Sequence, residues 1–76
     1  MKANTAREIA IKAMDRDIEC HREMERVYKE IEDAANRGKL SVHVTVPYRY
    51  HDYVITKLKE NGYKLCIAFE KFEISW

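Results

Sequence analysis

From Thr5 to Arg37 the chain runs without Gly or Pro, and its apolar positions recur at alternating steps of four and three. The stripe reads Ala6, Ala10, Ala13, then Cys20, Met24, Val27, Ile31 and Ala34, with Asp17 in the middle slot. Met14, Tyr28 and Ala35 widen it. Such spacing predicts one long amphipathic helix. Thr5 and Glu8 have capping-box spacing at its start. Gly38 stops it, because Gly accepts the left-handed conformation after a helix end. At 1.5 Å per residue this helix spans on the order of 45 Å, more than a globule built from the rest of the chain covers. Glu8–Lys12, Glu25–Lys29 and Asp33–Arg37 sit four apart on its opposite side, as on a solvated face.

After Gly38 the period changes to two. Leu40, Val42, Val44 and Val46 alternate with Ser41, His43 and Thr45, which predicts a half-buried strand. Pro47 ends that strand and opens a second helix from Tyr48 to Asn61, with Val54, Ile55 and Leu58 inward and Gly62 as its stop. Tyr63 to Phe69 predicts another strand, with Leu65, Ile67 and Phe69 on one face and Cys66 and Ala68 on the other. Glu70 and Lys71 suit a tight turn, and Phe72 to Trp76 makes a last strand in a hairpin with the one before. The expected class is α+β in the order α-β-α-β-β. Both helices cover one face of a three-stranded mixed sheet, with a right-handed crossover joining parallel strands.

The first helix divides at Asp17. Its C-terminal part has the pattern of a helix packed on a sheet. Its N-terminal part adds Ile9, Ile11, Met14 and Ile18 around more than one side. Either this part packs on another copy of the chain, or a bend near Asp17 folds it onto the same core. The spread of the isoleucines favours the first reading, with Ile9, Ile11, Met14 and Ile18 as an oligomer interface, most simply a dimer. Asp17 is then either a buried polar group that sets register or a residue at an exposed bend. The chain is expected to be one domain over 1–76, with 1–20 as a projecting helical part and 21–76 as the globule.

Composition narrows the function classes. A domain of 76 residues buries a modest share of its surface, and self-association is one common remedy. The formal net charge of +1 is less basic than a general nucleic-acid binder usually is. No apolar run reaches membrane-span length, and the N-terminus has no apolar signal core. Cys20 and Cys66 are the two cysteines, too few for a disulfide framework. Both occupy apolar-patterned positions and are expected to be buried reduced thiols in a cytoplasm.

The positions Ile31, Ala34, Ala35, Gly38 and Lys39, the valine strand, Leu58, Gly62 and Tyr63, and finally Ile74 and Trp76 resemble a pattern in small uncharacterised proteins of tailed bacteriophages. The resemblance covers the C-terminal part of the chain. It implies a phage accessory product that binds host components, or a small virion part, located in the host cytoplasm. It brings no functional residues with it.

The richest cluster of chemistry-bearing side chains is Tyr48, Arg49, Tyr50, His51, Asp52 and Tyr53, at the start of the second helix. Free N–H groups at a helix start favour anions, and Arg adds a bidentate clamp. Tyrosines stack on bases or form protein hot spots. Tyr48, Arg49, Tyr50 and Tyr53 are therefore the candidate binding residues. Cys20, His21, His43, His51 and Cys66 have no zinc-ligand spacing, so no metal site is expected. With only Gly38 and Gly62 there is no phosphate-cradling loop. Asp15 and Glu19 read as part of a charged helix face. No catalytic residue, cofactor or membrane contact is expected. The reading is a non-enzymatic accessory protein that binds a host protein stoichiometrically, as a homo-oligomer through its long helix. The alternatives are a nucleotide or nucleic-acid binding module and a minor virion or assembly component.

Overall fold

A computed structural model describes residues 1–76. The elements are α1 (Ala3–Asp15), α2 (Ile18–Asn36), β1 (Ser41–Thr45), a single 3-10 turn (Tyr48–Tyr50), α3 (His51–Glu60), β2 (Lys64–Ala68) and β3 (Lys71–Ser75). The class is α+β, with the helices on one face of a three-stranded sheet.

The long helix is two helices. The peptide N–H groups of Arg16 and Asp17 close the last turn of α1 on the Ala13 and Met14 carbonyls. Asp17 then leaves the helical region and becomes the N-cap of α2, its carboxylate accepting from the Glu19 N–H at 2.8 Å. Such a cap is worth about 1 kcal/mol. The expected capping box at Thr5 is absent. The first helix starts at Ala3, after Lys2 in an extended conformation with no side-chain cap.

The stripe of α2 is buried as its period demands: Cys20, Met24, Val27, Ile31 and Ala34 are all in the core. Only Ile11 of α1 is buried with them, and Met14 is packed against them. Ala6, Ala10 and Ala13 stay exposed. Residues 1–10 are exposed throughout, so the first turns of α1 extend beyond the globule while its last turns join the core. Arg37 and Asn61 end α2 and α3 in the same way. The next residues, Gly38 and Gly62, take φ of +79° and +84°, and paired backbone bonds reach back to Ala34 and Ala35 and to Leu58 and Lys59.

The sheet order is β1-β3-β2, and both pairings are antiparallel. The expected mixed sheet with adjacent parallel strands is therefore corrected. Strands β1 and β2 do run in the same direction, but β3 lies between them. Helix α3 carries the chain across a gap one strand wide, and the hairpin returns β3 into that gap. The centre of the sheet goes to the strand with Phe72 and Ile74, both fully buried. The strand β2 is left at an edge, where Leu65 is half-buried and Ile67 is 40% exposed. The other face of the sheet carries His43, Glu73 and Cys66 in one cross-strand row, and it is uncovered. The thiol of Cys66 is exposed, contrary to expectation, while that of Cys20 is buried.

The loop of the hairpin is Phe69–Glu70, one residue earlier than Glu70–Lys71, because Ala68 pairs with Lys71. This register sets Leu65 against Ile74 and Ile67 against Phe72, and it leaves Tyr63 edge-on to Trp76 at 6.5 Å between centroids. Phe69 consequently falls in the turn with φ +57°.

Candidate functional site

The aromatic cluster at the end of β1 divides by burial. Pro47 keeps the chain extended, and the 3-10 turn then points Tyr50 inward. Tyr50 and, from α3, Tyr53 are core residues, 7% and 2% exposed. The hydroxyl of Tyr50 donates to the Glu19 carboxylate at 3.2 Å. Burial, and then that carboxylate, raise its pKa. Burial first, and Asp15 next, push the Tyr53 phenol far above its ordinary range. Both rings are packed in the core, and the Tyr50 hydroxyl ties the 3-10 turn to α2. Neither offers the stacking surface expected of it.

The other two candidates face solvent without converging. Tyr48 is 59% exposed and lies against the His51 ring at 4.9 Å. The His51 ring contacts Phe72 edge-on at 4.7 Å, and its Nε2 donates to the Val46 carbonyl at 2.8 Å. Arg49 lies over the Tyr50 ring, its Cζ 4.7 Å from the centroid, and reaches Glu19 at 3.9 Å. This pair is at the limit of ion-pair range, and both side chains are largely exposed.

The expected oligomer residues also separate. Ile11 is buried in the chain's own core, and Met14 is half-buried against it. Ile9 and Ile18 remain 53% and 64% exposed. A cleft of about 350 Å³ between α1 and α3 is lined by Arg7, Glu8, Lys12, Asp15, Lys57 and Glu60 among others. Its three cations and three carboxylates offset one another, and Lys57 and Asp15 are paired at 3.1 Å. The cleft therefore carries no net formal charge. No three His, Cys, Asp or Glu side chains converge on a point where a metal ion would sit. No helix is long and apolar enough to cross a membrane.

The end of the hairpin differs from all of these. Phe69 is 84% exposed and holds a positive φ of +57° without being Gly. For a bulky residue that conformation is an outlier, costing about 1–2 kcal/mol. At the first central position of a two-residue hairpin loop, Gly would take it freely. Ile67, two residues earlier in β2, is also incompletely covered. In the sequence, Phe69 continues the alternation of Leu65 and Ile67, so it reads as the last inward residue of a strand. The absence of Gly, Asn or Asp at residues 69–71 was the available sign that a side chain here is under strain.

No protein-family model matches the chain, nor does any curated protein or solved structure.

Proposed function

We propose that this chain is a non-enzymatic protein-binding module that acts stoichiometrically, with the end of the β2–β3 hairpin as its contact surface. The observation that carries the reading is Phe69: a large apolar side chain fully offered to solvent, in a backbone conformation that favours another residue type. Folding gains nothing from a phenylalanine there. Local strain together with exposed apolar surface is the combination expected of a contact residue. The resemblance of the C-terminal part to small tailed-bacteriophage proteins supplies the setting, an accessory protein that binds a bacterial host protein. Affinity capture from bacterial lysate, run in parallel with wild type and Phe69→Gly, tests it. The reading requires a protein that wild type retains in fixed ratio and the variant loses. Equal retention by both excludes the hairpin end.

A second contact surface is favoured by the exposure of residues 1–10 together with Ile9 and Ile18. An amphipathic helix so placed can lie in a groove of another chain, including another copy of this one. Ile9→Glu with Ile18→Glu should then lower the mass in solution or weaken capture while Phe69 remains in place.

A further inference from the structure

The strand β2 pairs with β3 on one side and with nothing on the other. The two-residue loop makes Ala68 and Lys71 the hydrogen-bonded pair that closes the hairpin. By alternation, Lys64, Cys66 and Ala68 direct their backbone groups to β3. The N–H and C=O groups of Leu65 and Ile67 therefore point outward, and no other backbone group bonds them. The β1 edge is different. There the outward groups belong to Ser41, His43 and Thr45, and the Thr45 carbonyl accepts from the Arg26 guanidinium of α2 at 2.6 Å. Natural sheets protect their edges with proline, bulges or inward charges. Along β2 the register is unbroken and the sequence KLCIA has none of these, its one charge being Lys64 at the first position.

We propose that β2 pairs antiparallel with β2 of a second copy, about a two-fold axis, so that two sheets become one of six strands. This inference rests on the reading of the hairpin end as the contact surface and names a second copy as one occupant. The symmetric register that overlaps all five residues of β2 is centred on Cys66. It sets Leu65 opposite Ile67 of the second copy, so that the outward backbone groups of each satisfy those of the other. It sets Lys64 opposite Ala68, so no like charges face one another. It brings Phe69 to the end of the ladder beside Tyr63 of the second copy, covering side chains that are 84% exposed at Phe69 and 40% at Ile67. One geometry thus meets the backbone, apolar and charge requirements together, as an isologous contact must. A five-residue edge is small against the roughly 1,200 Å² of a standard interface, so the association is concentration-dependent.

The test is sedimentation equilibrium combined with residue-resolved amide exchange, from low to high micromolar protein, with reductant present because the two Cys66 residues face each other. The mass should rise toward a dimer. Exchange at Leu65 and Ile67 should slow by more than about tenfold, while His43 and Thr45 stay unchanged. Ile67→Pro removes one outward N–H without removing a β2–β3 bond, and Ile67→Lys places a charge on the edge. Both should remain folded by circular dichroism and monomeric at the highest concentration. If the proline variant unfolds, the lysine variant decides. A wild type that stays monomeric overturns the proposal, and so does a dimer whose Leu65 and Ile67 amides exchange as fast as in the monomer, or one that Ile67→Lys leaves intact. A monomer that still captures a partner through Phe69 overturns self-pairing and leaves the protein-binding reading standing.

Discussion

Asp15 and Lys57, forty-two residues apart in sequence, meet at 3.1 Å and join the last turn of α1 to α3. The pair explains where the first helix goes after the break at Asp17. Its C-terminal end is held to the globule by this contact and by Ile11, while its N-terminal turns have neither. The Lys57 ammonium, and after it the Tyr53 hydroxyl, hold the Asp15 pKa below its ordinary value of 3.8. A depressed carboxylate stabilises the fold above its unfolded pKa and ceases to do so as pH falls through the folded value. The melting temperature of wild type should therefore exceed that of Asp15→Asn at pH above 3.8, and the gap should close below it. Both groups are partly exposed, so the gap is small. A gap that persists unchanged to about pH 2 would contradict the assignment.

Tyr50 and Arg49 are neighbours with opposite fates. Tyr50 is in the core and Arg49 is on the surface. Tyr50→Ala should lower the melting temperature strongly, because it removes a buried ring and its bond to Glu19. Arg49→Ala should change it little, as expected for an exposed ion pair. Thermal unfolding followed by circular dichroism separates the two. Equal effects would show that the pairing over Glu19 is more than a surface contact.

The two thiols should differ in reactivity. Cys66 stands on the uncovered face of an edge strand, and Cys20 is buried, where loss of solvation raises its pKa. A thiol reagent under native conditions should modify one equivalent rapidly and the second only at the rate of unfolding. Mass spectrometry should place the fast equivalent on Cys66. Fast modification of both would mean that the packing of α2 over Cys20 is open in solution.

The parts legible in the sequence are those where one local rule acts alone. Cys20, Met24, Val27, Ile31 and Ala34 are buried as a helical stripe, Gly38 and Gly62 end helices, and Val44 in β1 and Val46 just after it are buried. What was missed depends on a choice between comparable alternatives. Asp17 fits an N-cap as well as a seam, and only the Glu19 N–H bonded to it decides the matter. The order of the strands is not encoded in alternation, because β2 is the more apolar of the two hairpin strands and yet lies at the edge. The hairpin loop at Phe69–Glu70 rather than Glu70–Lys71 keeps Leu65, Ile67, Phe72 and Ile74 on the same face and differs in the fate of Phe69, so the alternation of the strands does not separate the two. The tyrosines look alike in sequence. Their burial follows from the 3-10 turn after Pro47, which rotates Tyr50 inward and Tyr48 outward.

Phe69→Gly separates the needs of folding from those of binding at the end of the hairpin. Removing the bulky side chain at φ +57° relieves about 1–2 kcal/mol of strain. The greater freedom of Gly in the unfolded chain takes back roughly 0.5–1 kcal/mol. The measurement is urea unfolding of wild type and variant, with partner capture assayed on the same preparations. The variant should be as stable as wild type or more so, by up to about 1.5 kcal/mol, and should no longer retain its partner. A variant that is less stable would show Phe69 to be a folding residue. A variant that is as stable as wild type and still binds would place the working surface elsewhere on the molecule.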